Sequence, residues 1–331
     1  MNKENLTQGQ KRQFTIVIAF VIVCFIWGST YLAIRFAIET LPPFLMASSR
    51  FLVAGAILYS WLRLRGTPRP SLIHWRSAFI IGSLLLLGGN GAVTWAEQYV
   101  PSSMVALLVA TIPLWITGLS SALSHTRLQG STIGSMLLAM FGILLLVGPE
   151  GLMGGQGIHP MGVAAVLFAA FSWALGTLYA REAAKPSSSL LGTAMNLLAG
   201  GFVLGIFGLI NGEAAQVNVT AVSLKSWLAL GYLIVFGSII AFSAYIWLMQ
   251  NANPSRVASY AYINPLVAVI LGWLLAGETI TLRTIAASII IVTAVAWLIT
   301  FKHKPKENTE IIQEPQGKLI NLTLSTHVKE S

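Results

Sequence analysis

Two ionisable side chains lie within or directly beside long apolar runs, where a charge is costly. Arg50 stands inside the run 44–62, and Glu97 follows the run 73–95. An arginine near the middle of a membrane helix costs about 2.5 to 3.5 kcal/mol on insertion scales, so Arg50 needs a partner. Glu39 and Glu97 are close to it in depth, and we predict a structural ion pair with one of them. The alternatives are a substrate or proton role for the pair Arg50 and Glu97, snorkelling of Arg50, and an ordinary loop carboxylate at Glu97.

Aromatic and amide side chains within the apolar runs could bind a small solute. Flat rings with few rotatable bonds suit the recognition of amphipathic solutes, and cations can rest on their faces. The candidates for lining a cavity are Trp27, Tyr31, Asn90, Trp173, Tyr260, Tyr262 and Asn264. Tryptophans near the ends of runs are instead assigned to the bilayer interface, where this residue type collects.

Two prolines, Pro113 and Pro265, interrupt apolar runs that share an opening Pro-Ser, at Pro101 and Pro254. A proline inside a helix removes one hydrogen bond and clashes with the preceding turn. In a bilayer, protein or cavity water must then satisfy the freed carbonyl. The two prolines therefore predict hinges or kinks at matching depth, beside a polar site near the bilayer midplane.

The residue types needed for catalysis do not cluster. The five histidines lie in loops or tails, the apolar runs hold no grouped carboxylates, and no Gly-Lys-Ser/Thr phosphate loop is present. The single cysteine, Cys24, excludes an intramolecular disulfide. We therefore predict that the chain is not an enzyme or an ATP-driven pump, and that it has no metal site and no cofactor.

The composition is that of a membrane protein. Of 331 residues 55% are hydrophobic and 9% are charged, whereas a soluble protein has about 25% charged residues. The net charge of +9 does not indicate nucleic-acid binding, because the basic residues lie in short loops and tails between apolar runs. About ten runs could cross the bilayer as helices. They are residues 14–34, 44–62, 73–95, 102–123, 129–148, 158–180, 190–210, 226–248, 255–276 and 281–301.

The two halves of the chain match each other. Trp27 and Arg35 reappear as Trp173 and Arg181 at one constant offset, and the glycine-rich run 88–91 corresponds to Gly237 and Ser238. This pattern indicates a tandem duplication. Because five spans per copy is an odd number, the second copy must enter the bilayer from the opposite side. The predicted fold is an all-α integral membrane protein with two inverted five-helix repeats.

The predicted organisation has four parts: an N-terminal segment 1–13, repeats 14–148 and 158–301, and a polar, disordered tail 302–331. An even number of spans puts both ends on one side, and most lysines and arginines fall on that side. By the positive-inside rule both termini are then cytoplasmic.

The sequence resembles a known family in several motifs. These are residues 26–31 (Ile-Trp-Gly-Ser-Thr-Tyr), Arg50-Phe51-Leu52, the central proline of the fourth run, and the stretch from Asn264-Pro265 to Gly277-Glu278. In their order across both halves they resemble the EamA-type drug/metabolite transporter superfamily. The resemblance implies a bacterial inner-membrane exporter of small metabolites, amino acid-like compounds or drugs, with a cavity between the halves. One departure is His125-Thr126, where such proteins often carry Gly-Glu, so no symmetric acid pair is assigned.

Several alternatives stay open at this point. The resemblance favours alternating access between the inverted repeats, and a facilitative channel or uniporter-like permease is the alternative. The expected partners are a small-molecule substrate and the lipid bilayer, with proton coupling undecided. The pattern Gly201-x-x-x-Gly205 permits close helix packing within one chain or between chains, so the oligomeric state is open.

Overall fold

A computed structural model describes residues 8–152, 159–252 and 260–301 of the chain. This part forms ten helical spans, of which eight are long and apolar enough to cross a membrane. The ten spans are α1 Gln8–Ala37, α2 Pro43–Leu64, α3 Leu72–Ala96, α4 Ser102–Leu123, α5 Gly130–Leu152, α6 Pro160–Glu182, α7 Ser189–Ile210, α8 (residues 224–251), α9 Tyr260–Ala276 and α10 Leu282–Phe301. The apolar parts of the last two are shorter, Ile263–Ala276 and Leu282–Leu298. The predicted all-α membrane fold is confirmed. The predicted tail 302–331 lies outside the described residues.

Two helices, α3 and α8, widen in their middle third into π-helical segments. We call these segments π3, Ser83–Gly91, and π8, Leu233–Ile240. A π-helical turn closes its hydrogen bonds over five residues instead of four, and such turns are frequent at functional sites. Both segments contain the glycines that the sequence comparison paired, so the two repeats share this feature.

The two predicted proline sites differ in structure. α4 divides into two helices, Ser102–Val109 and Ile112–Leu123, and Pro113 is the second residue of the second helix. Pro265 instead lies inside the continuous helix Tyr260–Ala276. The helix break predicted at Pro113 is therefore present, whereas the described part of α9 runs through its proline.

Glycines let helices from the two halves approach closely. A Cβ on Gly201 would lie 3.0 Å from the Leu52 nitrogen, and one on Gly205 would lie 2.8 Å from Ser48 Oγ. The Gly201-x-x-x-Gly205 pattern therefore packs α7 against α2 within the chain. In the same way, Gly28 of α1 leaves no room for a side chain against Val267 of α9.

The ten spans alternate in direction, which gives the molecule two ends. We call the end where α1 begins and α8 stops the terminal side, and the opposite end the far side. On the terminal side Arg12 Nη2 donates to the Asn251 carbonyl at 3.3 Å. On the far side Thr40 Oγ1 donates to Ser226 Oγ at 2.8 Å, and Ser226 Oγ donates to the Phe36 carbonyl at 2.8 Å.

Candidate functional site

A cavity of about 160 Å³ lies beside the first π-helical segment. Its walls come from both halves of the chain: α3 on one side and α6, α7 and α8 on the other. The lining residues are Leu85, Leu86, Trp173, Thr193, Asn196, Leu197, Phe242 and Tyr245. Thr193 is in the second turn of α7, so the cavity extends from the middle of α3 toward the terminal side. The lining combines aromatic and aliphatic surface with the hydroxyl groups of Thr193 and Tyr245 and the amide of Asn196, and it contains no charged side chain.

Each π-helical segment is contacted by the tryptophan of the opposite repeat. Trp27 Nε1 of α1 donates to the Gly237 carbonyl of π8 at 3.3 Å. A Cβ on Gly89 of π3 would come within 2.8 Å of the Trp173 ring of α6. Gly89 therefore makes room for Trp173, whereas Trp27 is hydrogen-bonded to the main chain at Gly237, so a repeat-related tryptophan contacts each segment.

The surroundings of the two segments differ in charge. Arg50 of α2 is 4% exposed, and its Nε donates to Ser238 Oγ of π8 at 2.9 Å. The residue at the same spacing after Trp173 is Asn196 of α7, which lines the cavity at π3. A guanidinium thus occupies the space beside π8, whereas a neutral amide borders open space beside π3.

Three aromatic rings pack against Trp27 on its side toward the terminal end of the molecule. Its ring centroid lies 5.3 Å from Phe242, 5.1 Å from Tyr245 and 5.2 Å from Tyr260. Phe242 and Tyr245 also line the cavity. Trp27 therefore packs against two residues of the cavity wall, and Tyr260 packs against Trp27, without either of them lining the cavity. Of the predicted residues, Trp173 lines the cavity.

The predicted amides have different environments. With its amide oriented to donate, Asn264 Nδ2 bonds to the carbonyls of Tyr260 and Cys24, both at 3.1 Å. This bonding ties α9 to α1 one residue before Pro265. Asn90 Oδ1 of π3 is buried and has no hydrogen-bond partner in the part of the chain that the structure describes, so it is an acceptor available to another group. The Tyr262 side chain lies outside the described residues.

Arg50 does not form the predicted ion pair, in the part of the chain that the structure describes. Glu39 pairs with Lys225 at 2.6 Å. Lys225 begins α8 at the depth of Glu39, whereas Arg50 is seven residues, or about 10 Å, further along α2 than Pro43. The carboxyl of Glu97 is also outside ion-pair distance of Arg50, and within the described ranges both of its oxygens lack a hydrogen-bond partner.

Glu97 is fully buried at the far-side end of α3, directly after Ala96. Arg35 Nη1 of α1 donates to its backbone carbonyl at 2.6 Å, so that guanidinium is bound to the main chain of Glu97. Burial raises the pKa of the Glu97 carboxyl well above its ordinary value. The nearby Arg35 and Arg50 oppose this shift of the pKa, and Glu278 adds to it.

Two other far-side carboxylates cap helices of the opposite repeat. Glu278 accepts from Ser102 N at 2.8 Å, Ser102 Oγ at 2.7 Å and Ser103 N at 3.1 Å. Glu213 accepts from Phe44 N at 3.1 Å and Leu45 N at 2.8 Å. They cap α4 and α2, whose first N–H groups have no partner within their own helix.

Sequence reasoning missed most of the cavity wall. Thr193, Asn196, Phe242 and Tyr245 were not among the predicted residues. The repeat offset that pairs Trp27 with Trp173 also pairs Arg50 with Asn196, and this signal could have found Asn196. Glu213 was missed because it follows a helix end in a polar loop, where a carboxylate is ordinary.

The comparisons with known proteins agree with this architecture. The model of the EamA-like transporter family matches residues 14–148 and 160–300. The uncharacterized inner membrane transporter YedA of Escherichia coli strain K12 is 41% identical over 285 residues, which cover 84% of this chain and 90% of that protein. A probable amino-acid metabolite efflux pump of Salmonella typhimurium is 23% identical over 82% of this chain and 90% of its own length. A crystal structure with 20% identity shares the fold at a TM-score of 0.58, covering 85% of this chain and 95% of that one. The chain belongs to the EamA-like transporter family.

Proposed function

We propose that this protein is a secondary transporter that exports small amphipathic metabolites by alternating access between its two repeats. The observation that carries the proposal is the cavity between α3, α6, α7 and α8. It lies at the point where a repeat-related tryptophan packs on a π-helical segment. A binding site between the halves of an inverted repeat is the arrangement expected of a secondary transporter.

The asymmetry between the two ends supports alternating access. On the far side, Glu213 and Glu278 cap helices of the first repeat, and Thr40, Lys225 and Ser226 join α1 to α8. The cavity lies in the terminal half. This state is therefore closed on the far side, and an opposite state would require the contacts of Glu278, Thr40 and Lys225 to separate.

The lining favours a small solute with an apolar part and one or two hydrogen-bonding groups. Trp173, Phe242 and Tyr245 offer flat faces, while Thr193 and Asn196 offer a hydroxyl and an amide. A volume of 160 Å³ is below the roughly 300 to 1,000 Å³ of drug-sized sites, so a metabolite fits this state better than a large drug. The Salmonella relative is named for amino-acid metabolites, which are solutes of this size.

The distribution of basic residues supports the direction. Arg65, Arg69 and Arg127 fall in loops on the terminal side and Arg63 in the last turn of α2, and the positive-inside rule places this side in the cytoplasm. The cavity in the terminal half would then load from the cytoplasm, and release on the far side would be export.

Efflux from proteoliposomes tests the proposal. Vesicles are loaded with a panel of amino acids and small aromatic metabolites, and efflux is compared for wild type, Asn196→Ala and Trp173→Ala. We expect at least a tenfold loss of saturable efflux in both variants at unchanged protein abundance. Trp273→Ala is the matched control, because this tryptophan is 55% exposed on α9.

Two outcomes would contradict the proposal. Equal efflux in wild type, Asn196→Ala and Trp173→Ala would remove the cavity from the transport route. Efflux that rises linearly with concentration without saturating would indicate a channel instead of a carrier.

A further inference from the structure

We propose that Glu97 is a proton-binding site: its carboxyl holds a proton while the far side is closed, and release of that proton to far-side water favours opening. Protonation of Glu97, the first part of this proposal, stands on the geometry alone. The link between proton release and opening, its second part, rests on the proposed alternating access.

The three buried or half-buried carboxyl groups of the far side differ in the hydrogen bonds that they accept. Glu213 and Glu278 each accept hydrogen bonds from backbone N–H groups. Glu97 is fully buried, and neither of its oxygens has a donor among the described residues. An isolated buried carboxylate is strongly disfavoured, and the neutral acid is the form that such surroundings accept.

The two guanidinium groups near Glu97, those of Arg35 and Arg50, are bound to groups other than its carboxyl. Arg35 of α1 is bound to the Glu97 carbonyl, and Arg50 of α2 is bound to Ser238 of α8. Both guanidinium groups act on Glu97 electrostatically, but neither donates a hydrogen bond to its carboxyl. The cations are thus close enough to accept a new partner and are held in place by other contacts.

The remaining groups around Glu97 do not replace the missing donor. Tyr31 of α1 is within electrostatic reach, and Glu278, beyond α9, is bound to the start of α4. On the α6 side, His159 packs its ring on Tyr99 at 5.3 Å. Arg35, Arg50 and Glu278 are thus bound to other groups, and none of the described residues donates to the Glu97 carboxyl, so a proton is the ligand that can neutralise it.

Loss of the proton from Glu97 would affect the contacts that Arg35 and Arg50 make. A proton lost from Glu97 leaves a buried anion beside two cations that are bound to α3 and α8. The anion would draw Arg35 or Arg50 away from these contacts, and Arg50 is one of the contacts between α2 and π8. Deprotonation therefore weakens the packing of the two repeats near the far side.

Infrared difference spectroscopy of the full-length protein during a pH titration tests the first part. A protonated carboxyl has a C=O stretching band that a carboxylate lacks. We expect such a band in wild type at neutral pH, its loss as the pH rises, and its absence in Glu97→Gln. Glu213→Gln and Glu278→Gln are matched controls and should keep the band.

A wild-type protein without the band at neutral pH, or a band that persists in Glu97→Gln, would overturn the proposal. A band that disappears when an ammonium-bearing solute is added at constant pH would overturn it in favour of a substrate site. These readouts need no transport, so their failure is distinguishable from failure of the proposed function.

Thermal unfolding in detergent gives a second measurement. Because the pKa of Glu97 is raised in the folded protein, its contribution to stability is fully present below the ordinary glutamate pKa and is lost as the pH rises through the raised value. Wild type should lose stability over that range, and Glu97→Gln should lose less. A parallel pH dependence in the two proteins would contradict the assignment.

Discussion

The two ends of the molecule use the same turns with different residues. On the far side, Gly212-Glu213 follows α7 and Gly277-Glu278 follows α9, and both glycines have left-handed φ values of 76° and 64°. On the terminal side, the repeat-related turns are Gly66-Thr67 after α2 and His125-Thr126 after α4. Gly66 and His125 also have positive φ, at 83° and 50°. The backbone of each turn is therefore shared, and the carboxylate is present at one end only.

This difference shows how an inverted duplication can become asymmetric. A left-handed residue after a helix turns the chain so that the next side chain points back along the helix. In the turn after α9, Glu278 N bonds to the Gly272 carbonyl at 3.1 Å, and its carboxylate lies across Gly272 to reach α4. Threonine at the same position cannot span that distance. Glutamates in one repeat therefore tie only the far side.

The largest effect on the far side is expected from Glu278→Ala. It would leave Ser102 N, Ser103 N and Ser102 Oγ without their acceptor at the buried start of α4. We expect a cost of about 2 kcal/mol to the closed far side, or about 30-fold in the ratio of open to closed molecules. Labelling of Ser103→Cys by a membrane-impermeant maleimide, in a Cys24→Ala background, measures this shift.

Glu278→Gln is the control for that experiment, because it keeps an acceptor oxygen and removes the charge. Its labelling rate should lie between those of wild type and Glu278→Ala. Equal labelling in all three proteins would show that this contact does not hold the far side closed.

A second change, Glu213→Ala, tests whether Glu213, like Glu278, holds the far side closed. α2 and α7 pack through Gly55, Gly201 and Gly205, so these helices form one tight pair. Loss of the cap on Phe44 N and Leu45 N should therefore lower the free energy of unfolding by about 1 to 2 kcal/mol. The midpoint of thermal unfolding measures this loss. Labelling at Ser103→Cys should stay unchanged, and a rise like that of Glu278→Ala would contradict the distinction.

The sequence predicted the fold because apolar run length and repeat spacing are local properties. The sequence comparison that joined Trp27 to Trp173 also paired the glycines at 88–91 with Gly237, and the structure places both sets of glycines in π-helical segments. The break in α4 followed from Pro113 alone. In each case one residue type has a direct effect on helix geometry.

The site was harder to predict because it depends on which side chains face each other across the halves. Arg50 was expected to pair with a carboxylate, and the structure gives it Ser238 of α8. In an all-apolar helix the buried face cannot be found from periodicity, so Phe242 and Tyr245 gave no signal. Glu97 was singled out by position, but its missing donors are visible only in the three-dimensional packing.

The smallest expected effect comes from adding a carboxylate at the terminal side with Thr67→Glu. The end of α2 lies beside the start of α7, since Leu62 and Leu191 share one buried cluster. By analogy with Glu213, the new side chain would reach the first N–H groups of α7, where Ser188 Oγ already accepts from Leu191 N at 3.4 Å. Because one cap is present, we expect a gain in unfolding free energy of only about 0.5 kcal/mol. Thr67→Gln is the control of equal size, and equal unfolding midpoints for the two variants would mean that the added charge does not reach α7.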